Sequence, residues 1–499
     1  MTKAKRPGPD KNEKAPTAIK RTAPFQRSHD KRRPEERTAA HEAAKNDPKR
    51  IPYSADKSSN RSEKRADNRP PNPKASSHEH GVGARISRRA ADRLRAGHVW
   101  VYASDVESLT AGEGNTPAGN AAASDAPALL PVADSRGLLL GTALYSPTSQ
   151  IALRLVSREL IGEAKWLELL AERLKKSIER RWPMLKSRES ESDSYRLCFS
   201  EADEIPGLIA DKYGPLVIVQ LLAKGLDSAA VRKTIVATIR QLVSPASILE
   251  RPDPRIRELE GLSAPGLEPL YAADKQNPMT ATEFRLNGLA FHYDANAGQK
   301  TGAFLDQHAN YNAAEKYAWR LAPGGRALDV CTYQGGFALH LARVSKRVTG
   351  IDASRSSLEV AERNLVANRD KLTAEVDWVA GDAFEILRDW SEAGEKYDTI
   401  VLDPPAFAKT QRAVEGALRG YKELNLRALK MVRPGGLLVT CSCSHHVGWK
   451  DLIGAVAAAA SDANRRVRLL ERRGAALDHP VVLNLPETEY LKCLALEVE

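Results

Sequence analysis

"RALDVCTYQGGFALHLARV" (residues 326–344) runs from an apolar stretch into a turn and then into a helical pattern. Ala327, Leu328 and Val330 read as a short strand buried on both faces. The two glycines after "CTYQ" open the next element. There Phe337, Leu341 and Val344 recur at helical spacing. The same unit repeats outward along the chain. Strands "RVTGID", "EVDWVA", "YDTIVLD" and "GLLVTC" alternate with helices "RSSLEVAERNLVANR", "AFEILRDW", "GALRGYKELNLRALKMV" and "DLIGAVAAAASDA". Such alternation predicts an α/β domain over 296–499, a Rossmann-like parallel sheet covered on both faces.

In open α/β sheets, ligands bind beyond the carboxyl ends of the strands. Four successive ends carry an acid: Asp329, Asp352, Asp382 and Asp403. One such acid can be a helix cap and nothing more. Four in a row point to a nucleoside site, with Asp352 placed to accept ribose hydroxyls and with Tyr333 and Gly335 in the first turn. A nicotinamide dinucleotide wants G-x-G-x-x-G for its pyrophosphate. "CTYQGGF" lacks that spacing, which favours S-adenosylmethionine, a cofactor without a pyrophosphate. In "LDPPAF" two prolines stiffen the turn, so Asp403 can be held against the polar edge of a base.

The rest of the chain divides by composition. Net charge is +11, and residues 1–80 hold 21 Lys and Arg against 11 Asp and Glu, whereas the remainder is close to balanced. With only Phe25 and Tyr53 as aromatics, that stretch is expected to be a disordered basic tail, either simply solvated or an arm for a polyanion such as RNA. Short strands over 82–158 predict a small β-barrel, interrupted by a low-complexity loop at 111–127. Residues 160–295 mix strands and helices as an α+β module that begins with the helix at 163–182. No apolar run is long enough for a membrane span, and the first residues do not read as a secretory signal. Five scattered cysteines make no disulfide framework. A cytoplasmic protein without a metal site is expected; its oligomeric state is not legible.

The stretches "RLRAGHVWVYASDV", "SEADEIPGLIADKYG", "GQKTGAFLDQHANY", "LDVCTYQGGFALH", "VLDPPAFAK", "RGYKELNLRAL" and "TCSCSHH" together resemble the bacterial S-adenosylmethionine-dependent ribosomal RNA methyltransferases that make 5-methylcytidine in the large subunit. The resemblance covers about 82–499. It implies an RNA-binding PUA barrel, a central α+β domain and a Rossmann-like catalytic domain, with ribosomal RNA as the partner. It also implies that "KTGAFLDQ" lies at the cofactor, bringing Lys300 and Gln307 into the site.

"TCSCSHH" (440–446) places Cys441 and Cys443 at the end of a strand. A zinc site would want a second ligand cluster, and a disulfide between residues two apart in a strand is disfavoured by reach. An inert buried pair and a nucleophile remain. Carbon 5 of a pyrimidine takes a methyl group at a useful rate once a thiolate has added at carbon 6, a role suited to cysteine. Cys443 lies past the strand and matches the family's catalytic position, whereas Cys441 falls within the strand's packing. By similarity to other pyrimidine carbon-5 methyltransferases, Glu487 is the candidate base for the last proton, with His445 and His446 as alternatives. A uracil target, an exocyclic amino target suggested by Asp-Pro-Pro, and a non-catalytic RNA-binding role stay open.

Overall fold

The computed structural model describes residues 20–21, 83–110, 129–186, 191–266, 268–296 and 303–499. Its largest sheet is built from the segment that the alternation singled out. Five parallel strands are β1 (Arg326–Val330), β2 (Arg347–Asp352), β3 (Glu375–Ala380), β4 (Tyr397–Leu402) and β5 (Val432–Ser442). Two more, β6 (Val467–Arg473) and β7 (Lys492–Val498), were not anticipated. The order is β3-β2-β1-β4-β5-β7-β6, with β7 antiparallel to both of its neighbours. Lys20–Arg21 add a two-residue parallel strand beside β3. The rest of the basic tail and the 111–127 loop lie outside the described residues.

The apolar strands explain the two-sided burial. Leu328, Val330 and Ile400 pack with Tyr421, Leu424 and Leu452 on one face. Ala327, Val401 and Val439 pack with Phe337, Leu339 and Leu358 on the other. β7 returns from β6 through the loop 474–491 and enters antiparallel between β5 and β6. Its insertion sets Ser442 opposite Lys492 and Cys441 opposite Cys493. The carboxyl end of β5 therefore meets residues some fifty positions away.

Before the large sheet come a six-stranded sheet over 83–157 and a five-stranded sheet over 195–272. Strands Leu129–Ala133, Leu139–Tyr145 and Ile151–Ser157 are the three expected short strands. The predicted helix runs Glu163–Lys186, and Trp166, Leu170, Leu174 and Ile178 bury its apolar stripe against the five-stranded sheet. A hairpin, Ala281–Leu286 with Leu289–Asp294, puts Phe284, Leu286, Leu289 and Phe291 into the same core as Phe337.

Candidate active site

The turn after β1 departs most from ordinary backbone. Cys331 and Tyr333 have left-handed φ values of 63° and 53°, and Gly335 has 85°. Left-handed non-glycine residues each cost about 1 kcal/mol or more. Specific hydrogen bonds hold them there. The Thr332 N–H donates to the Ile351 carbonyl at 2.9 Å. The Tyr333 N–H donates to Asp352 Oδ2 at 2.9 Å. Gly336 is required for packing: a Cβ there would stand 2.5 Å from the Tyr311 ring.

Asp329 is fully buried beneath this turn. Its Oδ2 accepts the Thr332 hydroxyl at 2.5 Å and the Ala338 N–H at 2.8 Å, while Oδ1 is buried without a partner. Burial, with the charge of Asp352 adding to it, pushes the Asp329 carboxyl up to about 7. Asp352 also accepts the Ser354 N–H at 2.8 Å. Asp382 caps the helix Ala383–Glu392 through the Phe384 and Glu385 N–H groups. Both acids thus secure their own loops.

A cavity of about 420 Å³, counting space open to solvent, lies over the turn and is lined by Phe304, Tyr311, Cys331, Tyr333, Phe337 and Asp403 among others. The Phe304 and Tyr333 rings stand 5.0 Å apart. Aromatic faces suit both a purine and a sulfonium cation. Gln307 is buried. Its Nε2 donates to Asp403 Oδ2 at 3.0 Å, and its Oε1 accepts from Asn310 at 2.6 Å. Lys300 lies outside the described residues.

Asp403 closes the other side. Desolvation, then the negative charges of Asp306 and Asp329, push its carboxyl up to about 8 against the opposing hydrogen bond from Gln307. Asp306 in turn accepts the Tyr490 hydroxyl at 2.5 Å. Cys443 follows directly after the adjacent strand β5. Ser442 and Ser444 on either side of it are fully buried and share one partner, the Tyr421 hydroxyl, at 2.8 and 3.0 Å. Ser444 Oγ also accepts the Ala408 N–H at 3.2 Å. These bonds pin the Ser-Cys-Ser turn to the Asp-Pro-Pro loop and leave Cys443 Sγ 3.9 Å from the Pro404 carbonyl. Cys443 is partly exposed, whereas Cys441 is buried. A hydrogen bond with the Cys493 thiol, together with burial, pushes the Cys441 thiol well up.

Glu487 lies elsewhere in its immediate contacts. Its Oε1 is 3.3 Å from His98 Nε2 in the first domain, and its Oε2 is buried without a partner. His445 and His446 are exposed, the former with its ring 5.6 Å from that of Tyr490. Among the described residues no group of three or more His, Cys, Asp or Glu side chains is placed to hold a metal. Nor is any helix there long and apolar enough to cross a membrane.

Residues 84–158 match the family model described as a PUA-like domain, and 271–482 match that of an S-adenosylmethionine-dependent methyltransferase. The Pseudoalteromonas translucida protein named ribosomal RNA large subunit methyltransferase I is 33% identical over 411 residues, which is 81% of this chain and 96% of that protein. The protein of the same name from Tolumonas auensis is 35% identical over 401 residues, 80% of this chain and 95% of the relative. The chain belongs to the ribosomal RNA large subunit methyltransferase I family. It is an S-adenosylmethionine-dependent methyltransferase. Its fold is similar to that of a crystallised methyltransferase complexed with S-adenosylhomocysteine, at a TM-score of 0.67 and 20% identity, covering 83% of this chain and all of that one. A Streptococcus mutans methyltransferase gives the same TM-score at 19% identity and the same coverage.

Several residues of the candidate site were not singled out from the sequence. Phe304 and Asp306 lie within "GAFLDQ", and their nearness to Gln307 was the available signal. Tyr421 lies within "RGYKELNLRAL", where its hydroxyl cannot be told from that of any other helical tyrosine. Lys492 had no signal at all, because it reaches the site through β7.

Proposed function

We propose that this methyltransferase acts on carbon 5 of a cytidine in large-subunit ribosomal RNA, through a transient bond from Cys443 Sγ to carbon 6. The observation that carries this reading is the junction of the two loops: a partly exposed thiol 3.9 Å from the Pro404 carbonyl, one residue from Asp403. The names of the relatives supply the ribosomal substrate.

The residues around the β1 turn fit S-adenosylmethionine. The orphaned Asp329 Oδ1 is an unmet acceptor, a cost of about 1–3 kcal/mol that a donor from a ligand or a bound water would relieve. Asp352 and Asp382 border the same loops, with Tyr333, Gly335 and Gln307 around them; Lys300 is proposed from the resemblance alone. When bound, the cofactor supplies an electrophilic methyl group. Everything else falls to the chain.

The Cys443 thiolate adds at carbon 6, opening the 5,6 double bond and making carbon 5 nucleophilic. Asp403, still largely protonated near neutral pH, donates to ring nitrogen 3 and draws electrons from carbon 6. That nitrogen is an acceptor in cytosine and carries hydrogen in uracil, so a protonated Asp403 favours cytosine. After carbon 5 has taken the methyl group, a base removes its proton and the bond to Sγ breaks, returning the thiolate. Glu487 is the proposed base, its unpartnered Oε2 being the atom to accept the proton. The division into a tail (1–80), an RNA-binding PUA-like domain (82–158), a central domain (160–295) and a catalytic domain (296–499) belongs to the same reading.

Nucleoside mass spectrometry of large-subunit ribosomal RNA, from cells with and without this chain, tests the assignment. The loss of one 5-methylcytidine is expected. The loss of an N-methylated purine or of 5-methyluridine instead would overturn it.

A further inference from the structure

We propose that Lys492 is a positioning residue for Cys443, holding the Ser-Cys-Ser turn and placing a fixed cation where the thiolate forms. This rests on the reading of Cys443 as the nucleophile. Lys492 is the first residue of β7 and stands opposite Ser442. Its ammonium reaches past that residue to donate to the Ser444 carbonyl at 2.9 Å. The side chain therefore spans Cys443, from the residue before it to the residue after it.

Lys492 is 3% exposed. Lysine is seldom buried without a negative partner, and one neutral carbonyl does not offset the loss of hydration. Burial lowers its affinity for a proton, and the first group to counter this is Cys443, followed by Glu489 and Asp451. Glu489 is engaged by the Trp449 indole at 2.9 Å, and Asp451 by the Gly448 N–H at 3.0 Å. Both acids are thus held by the start of the neighbouring helix. Tyr421 also lies within the electrostatic reach of the thiol, and its hydroxyl is committed to the two serines. Among the described residues, the groups around the thiol and its lysine include one cation, the Tyr421 phenol, the Pro404 carbonyl with Asp403 beside it, and two acids already bonded elsewhere. A negative charge on Sγ completes this set. The proton lost by Cys443 passes to bulk water, and Lys492 keeps its own.

The test follows alkylation of Cys443 by iodoacetamide as a function of pH, read by mass on the peptide that carries it, in the full chain without RNA. In Lys492→Met the midpoint should move up by about one pH unit or more relative to the wild type, since an opposite charge at close range shifts a thiol by that order. The kcat for methyl transfer should fall about tenfold or more at pH 7. Lys492→Arg, which keeps the cation, should keep the midpoint within a few tenths of a unit. Calorimetric binding of S-adenosylmethionine reports whether each variant has folded. Should Lys492→Met lose that binding, Lys492→Gln is measured in its place with the same expectation. A folded neutral variant with an unchanged midpoint would overturn the proposal and leave the nucleophile reading standing. Full methyl transfer by Cys443→Ala would overturn the nucleophile reading instead, whatever the midpoints.

Discussion

The two sides of the cleft are built by opposite strategies. The side proposed for the cofactor is local. Asp329, Cys331, Tyr333, Gly335 and Gly336 lie within one strand–turn–helix unit, and Asp352 from the next strand secures it. The side of the proposed nucleophile is assembled from afar. Cys443 is positioned by serines that lean on Tyr421, by a loop that starts at Asp403, and by Lys492 from the last strand. A local site keeps its shape through backbone constraint. An assembled site can combine a thiol, a neutral acid and a cation that no single turn could hold together.

The contrast predicts that single changes on the nucleophile side act on rate, and those on the cofactor side on affinity. Asp403→Asn should lower kcat about a hundredfold or more, the size expected for losing a positioned acid, with little change in affinity for S-adenosylmethionine. In the wild type, activity should fall as pH rises through about 8, where Asp403 loses its proton. That descending limb should be absent from the residual activity of the variant. An unaltered limb would remove Asp403 from the chemistry. The same variant sharpens the comparison through stability. The folded chain holds a proton on Asp403 that the unfolded chain releases near pH 4. Stability is therefore lost as pH rises from about 4 to about 8, and Asp403→Asn should melt at least about 2 °C above the wild type at pH 8.

On the cofactor side, Asp352→Ala leaves the Tyr333 and Ser354 N–H groups without their acceptor. Affinity for S-adenosylmethionine should fall about tenfold or more, with kcat at saturation within a few-fold of the wild type. Unchanged affinity by calorimetry would take Asp352 out of the site. The smallest effect tests the link between domains. If Glu487 removes the carbon-5 proton, Glu487→Gln should slow release of the methylated product without slowing addition of Cys443. If it only holds His98, both steps should keep their wild-type rates and the base must be sought elsewhere.

The same contrast explains what could be read in advance. Strands β1 to β5 and their acids were legible because a parallel strand buried on both faces writes a continuous apolar run. The left-handed turn was marked by its glycines, although nothing marked Cys331 or Tyr333 as strained. β6 and β7 were missed. "VRLLERR" carries three arginines on an edge strand, and "KCLALEV" sits next to the end of the chain. With them went Lys492 and the pairing of Cys441 with Cys493, since an antiparallel insertion brings together residues that no local pattern connects. Glu487 was chosen by similarity to other pyrimidine carbon-5 methyltransferases, and its contact with His98 bridges 389 residues of sequence.

The most direct test of the account is a covalent trap. An RNA substrate with 5-fluorocytidine at the target position has no carbon-5 proton to lose, so addition and methyl transfer can proceed while elimination cannot. With S-adenosylmethionine present, a protein–RNA adduct that survives a denaturing gel should accumulate, with its mass on the peptide bearing Cys443. Cys443→Ala should form none and should methylate no RNA. Cys441→Ala, which removes a buried thiol with about 1 kcal/mol of packing, should form most of it. Near-normal methylation by Cys443→Ala would contradict the carbon-5 mechanism, and an adduct carried by Cys441 would contradict the choice of nucleophile.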